Sequence, residues 1–125
     1  MAKALTHLLT RNGDIPNNPT LPLLIYEDAF PVDISSSEIE AQFQENRWQN
    51  TWVNGVFSYH HYHSNAHEVL GCFAGSAEVQ FGGPDGPVVS LAAGAAVIIP
   101  AGVGHCKLES TSDLANKGSS APFSS

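Results

Sequence analysis

Between Thr51 and Leu108 the chain cannot hold one regular element for long, because glycine, proline or, at residues 60–68, a polar His-rich stretch interrupts each apolar run. The runs cover residues 52–53, 56–59, 69–73, 77–81, 88–91 and 97–99. They are too short for independent helices and are rich in the β-branched and aromatic residues that suit a pleated surface. The breaks are Gly75, the GGPDG turn at residues 82–86, Gly94 and the Gly/Pro segment at residues 100–104. Short strands at this spacing are expected to close into an all-β sandwich or barrel.

A chain of 125 residues has material for one such core and not for two. Its 12 acidic and 5 basic side chains leave a formal charge of -7. That balance repels phosphate backbones and anionic lipid, so neither nucleic acid nor a membrane is expected as a partner. Cys72 and Cys106 do not form a CxxC pair and are expected to be reduced thiols. The first ten residues lack the apolar core of a secretion signal, and no run is long enough to cross a bilayer. A cytoplasmic location is the resulting expectation.

Three stretches differ in character. Residues 1–50 read as an N-terminal arm, a short strand and a helix. The arm, at residues 11–22, is dense in Asn, Gly and Pro and is expected to be irregular. A strand is expected at residues 23–26 and a helix at 35–48. Ser35, Ser36 or Ser37 can cap that helix, with Ser37 and Glu40 at capping-box spacing. Ile39, Phe43 and Trp48 would face the core. Residues 51–109 read as the barrel. Residues 110–125 are polar and Ser-rich and are expected to be a mobile tail.

Histidines are concentrated where chemistry would be placed. His60, His61, His63 and His67 fall within eight residues, and His105 follows the last Gly/Pro turn. Alternation along an extended chain puts His61 and His63 on one face, with Phe57 and Tyr59. A hairpin would return Glu68 to their side, and His105 would reach the same point from another strand. Three imidazoles and one carboxylate suit a divalent transition metal such as Fe, Mn, Ni, Cu or Zn. His60 and His67 have the opposite parity and are expected to point away from the ligands. With Tyr59 they remain the candidate catalytic proton carriers. Phe57, Leu70, Val79, Ile98 and Ile99 are expected in the core, and Cys72 on the inner wall.

These residues resemble the two motifs of the cupin superfamily. Gly55, His61, His63, Glu68 and Gly75 match G-x5-H-x-H-x3,4-E-x6-G at every spacing. Gly94, Pro100, Gly102 and His105 match G-x5-P-x-G-x2-H-x3-N, whose last position is Glu109 here. The acidic residue that often follows the motif-two glycine is Ala95. The segments GDIPNNPTLPLLIY and YHHYHSNAHEVLG also resemble the small YjlB-like cupins.

The resemblance implies an RmlC-like jelly-roll barrel with one metal ion held by His61, His63, Glu68 and His105. It also implies a small-molecule ligand and a homodimer. The implied function is a metal-dependent enzyme of dioxygenase, decarboxylase or isomerase type acting on a small oxygenated metabolite. The alternatives are a non-catalytic cupin module that holds a metal or small ligand, and a cupin barrel incomplete at its C-terminus and without activity.

Overall fold

The structure, a computed structural model, describes residues 4–53 and 56–122. Nine strands and one helix follow in the order β1 (Ala4–Leu9), β2 (Asn18–Tyr26), α1 (Ser36–Glu45), β3 (Gln49–Val53), β4 (Ala66–Ala74), β5 (Ser76–Phe81), β6 (Val88–Ala92), β7 (Ala96–Ile99), β8 (His105–Ser110) and β9 (Ala115–Pro122). The strands form two antiparallel sheets, β1-β2-β7-β4-β9-β3 and β6-β5-β8. This is the all-β architecture that the Gly/Pro spacing led us to expect, in the jelly-roll form that the cupin resemblance implied, with one helix.

Alternation decides which residues the sheets enclose. Leu23, Ile25, Leu70, Val97 and Ile99 from the larger sheet meet Ala77, Val79, Phe81 and Leu91 from the smaller one. Burying a side chain of this size contributes about 1.5–3 kcal/mol. The opposite face of the larger sheet carries a second cluster, in which Ile39 and Phe43 of α1 pack on Phe30, Ile34, Val69 and Ala96. The helix is therefore an outer layer and leaves the barrel interior free. Its cap is Ser35 rather than Ser37: Ser35 Oγ accepts from the Glu38 amide at 3.2 Å, and the Ser35 amide donates to Glu38 Oε1 at 3.1 Å.

Four expectations need correction. Residues 4–9 form a strand, β1, that had no reading of its own, and β2 begins at Asn18, inside the expected irregular arm. The segment carrying His61 and His63 is not a strand; its link to the sheets is an isolated bridge between His61 and His105. Phe57 is not core but 47% exposed. The expected mobile tail is replaced from Ala115 by β9, which lies between β4 and β3 and completes the larger sheet. Its small side chains fit there because Trp52 covers Gly118, where an added Cβ would collide with the indole. Gly55 lies outside the described residues.

Two motif glycines have backbone reasons to be glycine. Gly94 has φ 98° and Gly102 φ 90°, a region that side chains disfavour. A Cβ at Gly102 would also come within 2.6 Å of the Asn17 carbonyl.

Candidate metal centre

The cluster is assembled by backbone pairing before any side chain takes part. The His61 amide donates to the His105 carbonyl at 3.2 Å, and the His105 amide returns a bond to the His61 carbonyl at 2.9 Å. The Gly102 amide donates to the His63 carbonyl at 2.8 Å. The two His-bearing segments are thus zipped together, with side chains at 61, 63 and 105 directed to one side. Phe81, opposite His105 in the β5–β8 register, is fully buried and marks that side as the interior.

Asn17 fixes the turn that delivers His105. Its Nδ2 donates to the Thr10 carbonyl at 2.7 Å and to the Gly82 carbonyl at 3.0 Å. Its Oδ1 accepts from the Gly104 amide at 3.1 Å, and its own amide donates to the Gly102 carbonyl at 2.9 Å. Asn18 Nδ2 adds a bond to the Ala101 carbonyl at 3.1 Å. The sequence reading placed both asparagines in an irregular arm and missed this role. The positive φ of Asn17, 53°, is tolerated by asparagine, but nothing in the residue string marks it as a partner of a turn 85 residues away.

The imidazole tautomers follow from the same backbone. His61 Nδ1 lies 3.3 Å from the Tyr59 carbonyl and His105 Nδ1 lies 3.3 Å from the Val103 carbonyl. A carbonyl can only accept, so Nδ1 carries the proton and each Nε2 keeps its lone pair. Both Nε2 atoms are buried without a hydrogen-bond partner among the described residues. Glu68, 4% exposed, turns Oε1 to within 3.2 Å of His63 Nε2 and 3.4 Å of His105 Nε2. Ligand atoms of His61, His63 and His105 all lie within 4.8 Å of one another.

Electrostatics make this arrangement incomplete by itself. Burial, helped by the neighbouring His61, pushes His105 down to about 3, so its ring is neutral at ordinary pH. Burial also lowers His61. Burial raises Glu68, with His63 partly offsetting it. The bare Nε2 lone pairs of His61 and His105 lie beside a desolvated Glu68 carboxyl group. A buried set of this kind is stabilised by a cation, and neutral imidazole with carboxylate is a donor set that divalent transition metals accept. The residues therefore fit a metal ion.

The sequence candidates separate into those near the cluster and those away from it. Phe57, Tyr59, His61 and His63 form a continuous row. Phe57 stacks on Tyr59 at 5.2 Å with 6° between planes, and meets His61 edge-on at 4.9 Å. The Tyr59 ring is 5.7 Å from that of His61 and is 60% exposed, so its phenol stands at the rim. His61 and His105 have ring centroids 4.0 Å apart. His67 is not brought to the cluster, which corrects its reading as a proton carrier there. It occupies the outer face of β4, where its Nδ1 accepts from the Ala101 amide at 2.9 Å beside Trp48 and Leu24. The parity of a strand requires this of a neighbour of Glu68. His60 makes no ring contact with the row, and its Nδ1 is buried without a hydrogen-bond partner among the described residues.

Comparison with known proteins agrees with this architecture. The chain is 43% identical over 109 residues to a protein of Bacillus subtilis (strain 168) described as "Uncharacterized protein YjlB". The alignment covers 87% of this chain, and the chain spans 64% of that relative's length. Among solved structures, dTDP-4-dehydrorhamnose 3,5-epimerase from Elizabethkingia anophelis NUHP1 overlays with a TM-score of 0.51 at 11% identity, covering 99% of this chain and 76% of that one. A DUF861 family protein from Thermotoga maritima has a TM-score of 0.45 at 18% identity, covering 81% and 99%. No family model matches the chain. With two sheets enclosing one core and a histidine group that could hold a metal, the chain has the jelly-roll fold seen in that epimerase and is similar to YjlB over most of its own length.

Proposed function

We propose that the chain is a metal-dependent enzyme acting on a small oxygenated metabolite, with His61, His63, Glu68 and His105 holding one divalent transition metal ion. The observation that carries this reading is the convergence of two partnerless buried Nε2 atoms with the Glu68 carboxylate. Bound there, the ion would supply Lewis-acid polarisation of substrate oxygen atoms. The chain's own residues do the rest. The backbone carbonyls of Tyr59 and Val103 hold the ligand tautomers. Glu68 supplies negative charge from a dry position, which limits the net charge of the loaded site. Tyr59 offers a phenol at the rim that can donate to or accept from a substrate oxygen, and Phe57 shields the outer side of His61 from water.

Elemental analysis of untagged protein tests the metal. About one equivalent of Fe, Mn, Ni, Cu or Zn is expected. His61→Ala should lose most of it while keeping the β-sheet circular dichroism, and His60→Ala should keep it. Equal retention by the two variants would sink the reading. Metal affinity should fall as pH drops through the ordinary imidazole range, because a protonated ring cannot ligate.

A binding module without turnover is the second reading. It is favoured by the absence of His67 from the cluster, which leaves Tyr59 as the candidate proton carrier in ring contact with a ligand. A metal-loaded chain inactive on a panel of acids, thiols and catechols would select it. We also propose that the chain pairs with a second copy in solution. The larger sheet ends in the edge strand β1, which exposes Leu5 (45%) and Leu8 (58%). Size-exclusion chromatography with light scattering would read this directly. Among the described residues no helix is long and apolar enough to cross a membrane.

A further inference from the structure

The interior of the barrel has a second polar station, away from the histidines. In the β5–β8 register His105 lies opposite Phe81 and Lys107 opposite Val79. Phe81 and Val79 both belong to the core, so Lys107 shares the inward face of β8 with His105. On β4 the inward face runs from Glu68 to Leu70 and Cys72. Two residues along a strand are about 7 Å. One step beyond the histidine cluster the wall therefore changes character.

The cavity at this level is apolar. Leu70, Cys72, Ala77, Val79, Leu91 and Ala95 line a closed space of about 20 Å³, room for one methyl-sized group. Val56, Lys107, Leu114 and Asn116 border both this space and an open vestibule of about 380 Å³. The rest of the vestibule wall is Ser110, Thr111 and Ser112. Lys107 thus stands at the junction of a small apolar cavity and a hydroxyl-lined mouth.

Charge sets Lys107 apart. The chain has five basic residues and a net charge of -7. Arg11 and Arg47 are exposed, and Lys117 pairs with Glu40 at 2.9 Å on the outer face of the sheet. Lys107 is half-buried and makes no ion pair among the described residues. The nearby Asp113 carboxylate does not line the vestibule; its Oδ1 lies against Gly75. A half-buried lysine of an acidic protein, bordering both an apolar cavity and an open mouth, is arranged to meet an anion that brings a short hydrocarbon part with it.

We infer that this compartment is a binding site separate from the histidine cluster, and that its ligand is a short-chain monocarboxylate. The carboxylate head pairs with Lys107 and accepts from the hydroxyls of Ser110 and Ser112. The tail enters the cavity between Leu70 and Val79. The cavity volume limits the enclosed part of the tail to one methyl group, so propionate, whose terminal methyl reaches the cavity, should exceed acetate, whose methyl stays at the junction, and butyrate and hexanoate, which overfill it.

The test is a titration of the ¹⁵N-labelled full-length chain with acetate, propionate, butyrate, hexanoate and the neutral control propionamide. Saturable shifts are expected at the amides of Lys107, Thr111 and Leu114, with the order of affinity just given. Lys107→Met should weaken propionate about tenfold or more, and Lys107→Arg should keep most of the affinity. His61→Ala should leave propionate binding unchanged, because a carboxylate bound at the histidine cluster would be lost in that variant. The inference is overturned if no saturable shift occurs, if propionamide binds as well as propionate, or if His61→Ala abolishes binding. Equal binding by Lys107→Met overturns it too. Should Lys107→Met fail to fold, the propionate-to-propionamide ratio on the wild type still decides the question.

Discussion

β4 and β9 run side by side in the middle of the same sheet, yet their sequences have little in common. β4, AHEVLGCFA, alternates between interior and helix-covered faces and carries the large apolar residues Val69, Leu70 and Phe73. β9, described as ANKGSSAP, has no large apolar side chain at all. Both are held in an antiparallel register that runs from Ala66 opposite Pro122 to Cys72 opposite Asn116 and shifts before Ala74 meets Ala115. The contrast teaches that a central strand can be defined by its neighbours. β9 is paired on both sides, so its backbone donors and acceptors are satisfied whatever its side chains are. Its small residues then serve as space for other groups: Gly118 lies under Trp52, and Ser119 is fully covered on the helix-bearing side.

Substitutions can break or sharpen this contrast. The largest effect is expected in β4, where Leu70→Ala should cost about 3 kcal/mol, read from urea denaturation, because Leu70 is 4% exposed and already borders a void. In β9 the damaging change runs the other way. Gly118→Val should cost about 2 kcal/mol by displacing Trp52, with a matching change in tryptophan fluorescence. If Gly118→Val were neutral, smallness would not be what β9 contributes.

Acid distinguishes the strands next, since β4 sends a carboxylate inward and β9 sends none. His105 is held at about 3 when folded, against 6.5 for the free group. Between those values the unfolded chain binds more protons, so stability falls as pH drops through that window, by about 1 kcal/mol per unit for His105 alone. Glu68, raised by burial, works in the opposite direction, its contribution being present at low pH and lost as pH rises through its folded value. The net expectation for chelator-treated protein is a lower denaturation midpoint at pH 5 than at pH 7, with His61 adding to the loss. Lys117→Ala, which removes the outward pair with Glu40, should cost under about 1 kcal/mol. The smallest effect, with the sign reversed, is Ser119→Ala. Ser119 Oγ is buried without a hydrogen-bond partner among the described residues, so its removal should be neutral or stabilising by a few tenths of a kcal/mol.

The same contrast explains how much could be read in advance. The strands from β4 to β8 were legible because their apolar alternation and Gly/Pro stops agree with each other. β9 was not, because Asn116, Lys117, Gly118, Ser119 and Ser120 have low intrinsic strand preference and owe their conformation to β4 and β3. β1 escaped for a related reason, as an edge strand with exposed leucines gives a weak pattern. At the site, the grouping of His61, His63, Glu68 and His105 was legible from spacing. Parity also set His67 apart. Asn17 was not legible, because a side chain that ties three loops together leaves no periodic trace.

One small arrangement reaches further than its size. Each of the two most enclosed imidazoles leans on the carbonyl two residues earlier in its own chain, so the choice of which nitrogen is left bare is made within three residues. The wiring is local: in these two tripeptides the histidine arrives with its donor atom already selected. The barrel's task is then reduced to aiming such prepared tripeptides at a common point, and a loop that re-aims one of them would alter coordination without altering the chemistry of the ring.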